Sequence, residues 1–232
     1  MENIKHIFFD LDNTLWDYRR NAKITLVKLY EEFQIKDTYG YSFEEFYPHY
    51  YESNEQLWAD YRDGKLTKEQ LRARRFPEAF ANMGIPTADF AMEYEQRFVD
   101  EVTTSNNVVE GTEEILKYLH GKYQLHILSN GFEEVTHQKI NGCLIKDYME
   151  TITTAEEAGA PKPDAKAFLT AIGKSDARIE NSVYIGDDWI ADMVGAHRLG
   201  MQAIFFNPLN ENHMWVEEIP VIHKLTELKN HL

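Results

Sequence analysis

The chain has 232 residues, 43% apolar and 13% aromatic, with 24 basic groups against 39 acidic ones and a formal charge of −15. That is material for one large domain, or for a domain with a sizeable insertion, and more core than a disordered chain carries. The negative excess excludes a general phosphate-backbone binder and a protein that docks on an anionic leaflet, since both need clustered Lys and Arg.

Residues 4–9 read as a short strand that stops at Asp10. An acid so early leaves no room for a signal-peptide apolar region, and no apolar run reaches the ~20 residues of a membrane span. The single cysteine, Cys143, allows neither an intramolecular disulfide nor a cysteine-based zinc site. A reducing compartment and a soluble cytoplasmic protein are therefore expected.

From Trp16 to Phe98 the pattern is helical. Ser42-Phe-Glu-Glu45 and Thr67-Lys-Glu-Gln70 have capping-box spacing, Gly64 and Gly84 stand where left-handed caps belong, and Pro86 blocks continuation. Leu26, Leu29, Tyr30 and Phe33 recur at helical spacing, as do Leu57, Trp58 and Tyr61. Four helices and no strand are expected in this block.

After residue 107 short β-rich runs (124–128, 151–154, 182–185 and 202–206) alternate with helical ones near 112–121, 132–141, 164–173 and 189–199. Such alternation predicts βαβ crossovers and an α/β fold, a doubly wound parallel sheet that the strand at 4–9 joins. The expected division is a core of residues 1–15 and 99–232 with a helical cap, 16–98, inserted after the first strand.

In open α/β sheets ligands bind beyond the carboxyl ends of the strands. Asp10-Leu-Asp12-Asn-Thr14 follows the first strand, Ser129-Asn130-Gly131 the second run, and Gly186-Asp187-Asp188 the run at 182–185, with Asp192 four residues on. Lys162 stands between two prolines ahead of the helix at 164. Alone, the Asp10, Ser129 and Lys162 segments read as well as a turn, a cap or a solvated lysine, whereas Asp187, Asp188 and Asp192 are three carboxylates in six residues that repel unless solvent or a cation relieves them. Together they fall at one sheet edge, which those readings do not explain. Five carboxylates with a hydroxyl and a lysine suit a hard, oxygen-liganded cation such as Mg²⁺. A carboxylate can also attack phosphorus, and a second can protonate the leaving oxygen and then activate water.

These residues resemble the haloacid dehalogenase-like hydrolase superfamily. Asp10-Leu-Asp-Asn-Thr-Leu15 is similar to its first motif, Ser129 to its second, Lys162 to its third, and Gly186-Asp-Asp with Asp192 to its fourth. The resemblance implies a Rossmann-like core with a cap inserted after the first motif. It also implies Asp10 as nucleophile and Asp12 as general acid/base, with Mg²⁺ on the Asp10 carboxylate, the Asp12 carbonyl and Asp187. Ser129 and Lys162 would hold phosphoryl oxygens, and Asp188 and Asp192 would stand in the outer shell of the metal. Many members have Gly where this chain has Asn13. The dehalogenases of the superfamily lack the second Asp, so Asp12 favours a phosphatase.

Seventeen of the 30 aromatic residues fall in 16–97. Leu57-Trp-Ala-Asp-Tyr-Arg-Asp-Gly64, the Leu66-Thr67 that follows and Ser129-Asn130-Gly-Phe132 together resemble the pyrimidine 5′-nucleotidase branch, which implies nucleoside 5′-monophosphates as substrates. Trp16 or Tyr18 would stack a base and Asn130 would help bind substrate, although a small helical cap also needs aromatic residues for its own core. Arg62, Lys65, Lys68, Arg72, Arg74 and Arg75 read as a solvated helix face able to steer anions. Sugar-phosphate or phosphoglycolate phosphatases, phosphomutases and a phospho-acceptor signalling module remain as alternatives. The partner expected is a small phosphorylated metabolite, with no nucleic-acid polymer and no membrane.

Overall fold

The computed structural model describes residues 3–85, 90–214 and 216–232, so Pro86 lies outside the described residues. The chain forms two compact units, one of residues 1–18 and 106–232 and one of residues 19–105. In the first, β1 (His6–Phe9), β2 (Gln124–Ser129), β3 (Thr151–Thr154), β4 (Ser182–Gly186), β5 (Gln202–Phe206) and β6 (Val221–Ile222) form one sheet. Its order is β3-β2-β1-β4-β5-β6 and every pairing is parallel. The chain leaves β1 toward β2 and β3, then returns to the other side of β1 for β4. The topological switch point therefore lies between β1 and β4, where a doubly wound sheet opens its crevice. The expected α/β fold and the recruitment of the first strand into the later sheet are what the structure has; the two-residue β6 is an addition.

The second unit holds α1 (Tyr18–Glu32, from Arg19), α2 (Ile35–Tyr39), α3 (Phe43–Arg62), α4 (Lys68–Asn82) and α5 (Ala91–Glu101), and no strand among the described residues. The helix beyond the four expected is α2, five residues long and too short to show a period. It is set apart by Gln34, whose φ of 54° ends α1, and closed by Gly40 at φ 82°. Both expected capping boxes form, from Ser42 with Glu45 and from Thr67 with Gln70. The core of this unit is aromatic: Phe46, Phe76 and Phe80 pack with Tyr50 and Tyr94, and Phe46 and Phe80 stack at 4.9 Å.

The basic stretch departs from the expected solvated face at one residue, Arg75; Lys65 and Arg74 are exposed and Arg62, Lys68 and Arg72 are half-buried. Arg75 is buried and makes two bonds to buried Glu95, Nε to Oε2 at 2.9 Å and Nη2 to Oε1 at 2.6 Å. Arg72 adds a third at 3.3 Å, while Lys65 pairs with Asp60 and Asp63 and Arg74 with Glu78.

Back in the first unit, α6 (Thr112–Leu119), α7 (Glu133–Asn141), α8 (Ala155–Ala158) and α9 (Ala165–Lys174) precede a π-helical turn, Trp189–Val194, that runs into α10 (Gly195–Arg198). The segments leading out of and back into this unit pair with each other. Asp17 N–H donates to Asn107, Val109 N–H donates to Leu15, and Trp16 bridges Val108 antiparallel. Among the described residues no helix is long and apolar enough to cross a membrane. At the opposite end of the strands from the motif loops, His6 Nδ1 lies 3.1 Å from His126 Nε2, and His126 Nδ1 lies 2.9 Å from Thr151 Oγ1. His126 also stacks on Phe8 at 4.7 Å. Burial, with a smaller push from His6, lowers its pKa from 6.5 to about 4.

Two stability predictions follow from these buried groups. His126 is neutral in the folded state and takes a proton more readily unfolded, so stability present above pH 6.5 is lost as the pH falls toward 4. Urea unfolding of His126→Gln should lose less stability over that interval than the unsubstituted chain, by up to about 3 kcal/mol; equal acid sensitivity would contradict a neutral buried imidazole. Arg75→Met should cost up to about 3–5 kcal/mol by leaving buried Glu95 with the longer bond from Arg72 alone, whereas Arg75→Met with Glu95→Leu should recover most of that loss. Thermal unfolding of the three variants checks it.

Candidate active site

Asp10 directly follows β1, and its N–H donates to Ile185 of β4 at 2.8 Å, which fixes it at the switch point. Ser129 ends β2, Gly186 ends β4, and Asp187 is the next residue. The parallel register thus delivers three of the motif segments to one edge. Lys162 reaches the same place from the segment between α8 and α9. Its ammonium, 1% exposed, donates to Asp10 Oδ1 at 2.6 Å, Asp192 Oδ1 at 2.7 Å and the Tyr184 hydroxyl oxygen at 2.7 Å. An ammonium has three protons, and each has an acceptor here.

This packing sets the charges. Burial alone would pull the Lys162 ammonium down, but Asp10, Asp192 and Tyr184 outweigh it and hold its pKa well above the ordinary lysine value. Burial pushes Asp10 up to about 7, with Lys162 opposing and Asp192 adding to the rise. Burial also raises Asp192, whose Oδ2 accepts the Asp188 N–H at 3.1 Å. Oxygens of Asp10, Asp187 and Asp192 lie within 4.8 Å of one another. Lys162 serves two of these carboxylates, Asp10 and Asp192, while Asp187 accepts from the Thr14 hydroxyl. Such a hard-oxygen set fits a divalent cation, whose charge would favour the ionised form of Asp10.

The remaining expected residues divide. Asp12 is half-buried, and both of its carboxylate oxygens accept from Lys139, at 2.6 and 2.8 Å. Thr14 donates to Asp187 at 3.2 Å. Asn13 has φ 62°, in the left-handed region that glycine and asparagine tolerate best, so Asn is a fitting substitute for the usual Gly. Ser129 Oγ accepts the Gly131 N–H at 3.0 Å. Asp188 caps the π-helical turn, its Oδ1 accepting from Ile190 and Ala191.

Two residues expected at the substrate have protein partners here. Asn130 holds the Lys162 main chain at both of its amide ends, donating to the carbonyl at 3.0 Å and accepting the N–H at 2.7 Å. Its side chain thus positions Lys162. Trp16 is fully buried; its Nε1 donates to Asn106 at 3.2 Å and the Lys139 ammonium lies 4.7 Å from its ring centre. Sequence reasoning missed Tyr184 and Lys139. The one available signal was a lysine among Val135, Thr136 and Ile140 on the buried face of α7.

The Gly186 position tests this arrangement. A Cβ there would land on the Asp192 carboxylate. Gly186→Ala should therefore push Asp192 off Lys162 and cost about 1–3 kcal/mol, the usual range for overpacking. A lowered thermal midpoint is the expected result, and an unchanged one would contradict the packing described.

Comparison with known proteins gives the family. The family model described as haloacid dehalogenase-like hydrolase matches residues 7–206. The chain is 26% identical to pyrimidine 5′-nucleotidase PynA of Streptococcus pneumoniae over 228 residues, covering 97% of this chain and 93% of that protein. It is 25% identical to ribulose-1,5-bisphosphate 5-phosphatase of Halopiger xanaduensis over 211 residues, 89% of this chain and 86% of that one. Its fold resembles the solved structure of the putative HAD-hydrolase YfnB of Bacillus subtilis bound to magnesium, with a TM-score of 0.86 and 22% identity, over 99% of each chain. With the family model spanning residues 7–206 and so all the motif loops, this chain belongs to the haloacid dehalogenase-like hydrolases.

Proposed function

We propose that the chain is a Mg²⁺-dependent phosphomonoester hydrolase acting on small phosphorylated metabolites, nucleoside 5′-monophosphates foremost. The observation that carries this reading is the pair Asp10 and Asp12 at the end of β1, two carboxylates in unlike surroundings beside a buried lysine. Asp10 Oδ would attack phosphorus and form an aspartyl-phosphate; Asp12 would give a proton to the departing alcohol and later take one from water. Ser129 would meet a phosphoryl oxygen, and Lys162 would offset the negative charge that builds beside Asp10. The Asp10 and Asp187 carboxylates, with the Asp12 carbonyl, would hold Mg²⁺, and Asp188 and Asp192 would support them from outside. The bound cation supplies charge stabilisation for the transferred group.

The likeness to PynA supports a nucleotide substrate. The likeness to the Halopiger phosphatase supports the alternative, a sugar phosphate. Turnover of a panel holding nucleoside monophosphates and sugar phosphates separates the two. With p-nitrophenyl phosphate and Mg²⁺, Asp10→Asn should lower kcat by about 10³-fold or more while thermal unfolding stays cooperative. EDTA should remove activity and Mg²⁺ restore it. Undiminished turnover by Asp10→Asn would end the proposal.

A further inference from the structure

We infer that Lys139 is a positioning residue for Asp12, holding from α7 the carboxylate that the proposed hydrolysis uses as acid and base. The inference rests on the function proposed above. Lys139 is 3% exposed and sits on the face of α7 that carries Val135, Thr136 and Ile140, where an apolar side chain would pack with no charge to bury. Its ammonium spans both Asp12 oxygens, at 2.6 and 2.8 Å, and lies 4.7 and 5.2 Å from the ring centres of Trp16 and Tyr18. The rings present their negative faces to the cation. One lysine thus grips the motif loop at Asp12 and again where it leaves at Trp16 and Tyr18.

The backbone of that loop is closed by its own bonds, Asn13 N–H to Trp16 and Trp16 N–H to Leu11. Those bonds set the path of the chain and leave the Asp12 side-chain torsions open, so the ammonium supplies the orientation. It holds the carboxylate against the Ser129 turn: a Cβ on Gly131 would come within 3.4 Å of Asp12 Oδ2 and 3.2 Å of Ser129 Oγ. In the proposed reaction Asp10 Oδ bonds to phosphorus, and the ester P–O bond breaks with its electron pair going to the alcohol oxygen. That oxygen takes the proton of the Asp12 carboxyl. Water then bonds to phosphorus and gives a proton to Asp12, and the bond to Asp10 breaks with its pair returning to Asp10. Lys139 exchanges no proton in either half.

The test is a double-mutant cycle of Asp12→Asn and Lys139→Met, with Lys139→Arg as the conservative variant and Lys139→Gln in place of Met should the Met chain fail to fold. Kinetics are read with p-nitrophenyl phosphate, whose leaving group needs little proton assistance, and with glycerol phosphate, whose alkyl leaving group needs much. Lys139→Met should lower kcat about 10–100-fold on the alkyl ester and less on the aryl ester, with KM within about twofold and Arg restoring most of the loss. The double variant should be no slower than Asp12→Asn alone. Equal losses on both esters, or a double variant slowed by the product of the single effects, would overturn the inference. Urea midpoints of the same variants give a readout without turnover: non-additive shifts support the pairing and additive shifts overturn it. If the unsubstituted chain hydrolyses no phosphomonoester, the proposed function fails, and the urea cycle still decides whether Lys139 holds Asp12.

Discussion

One buried ammonium organises the carboxyl end of the sheet. Lys162 joins Asp10 after β1, Tyr184 on β4 and Asp192 on the π-helical turn, and the Tyr184 hydroxyl donates onward to the Leu128 carbonyl of β2 at 2.8 Å. Three central strands are thereby tied at their carboxyl ends through a single charge. A buried lysine survives only where its protons all find acceptors and opposite charge offsets its lost hydration. Here both conditions are met, and Asn130 secures the main chain of the same residue. The negative charge of the molecule concentrates in the same part of the chain: residues 98–232 carry a net charge of −10 and residues 16–97 only −3. A site for phosphate esters in such an acidic chain depends on local cations, and Lys162 and Lys139 are resident there.

Asp10 and Asp12 are two residues apart and face different bases. Asp10 is nearly enclosed and shares Lys162 with Asp192; Asp12 is half-buried and has Lys139 on both oxygens. Unlike surroundings for adjacent carboxylates are the usual physical route to unlike roles. The lysines come from different elements, so the two environments are set by separate parts of the fold.

The sheet edge was legible in the sequence because it obeys a local rule: a polar cluster follows a short β-rich run, and parallel pairing aligns the ends. Asp10, Ser129 and Asp187 fall where that rule puts them. Tyr184 and Lys139 were not legible, since each sits in a stretch that reads as core and meets its partner across a long sequence separation, 127 residues between Lys139 and Asp12. Trp16 shows the converse. Its position beside the motif suggested a stacking platform, but only tertiary packing shows that Lys139 and Asn106 already occupy it. Arg75 was misplaced for the same reason, because its partner Glu95 lies on another helix.

The paired segments at Leu15–Asp17 and Asn107–Val109 have a consequence for how the chain accommodates residues 19–105. To the sheet-forming unit they are a single excursion whose two ends are already clamped by backbone bonds. The entropy of closing a loop rises only with the logarithm of its length, about 0.6 kcal/mol for each doubling. Most of the closing cost therefore belongs to forming the clamp, and little depends on how long the excursion is. The helices beyond it are free to lengthen, shorten or change their surface while β1 keeps its register and Asp10 its place.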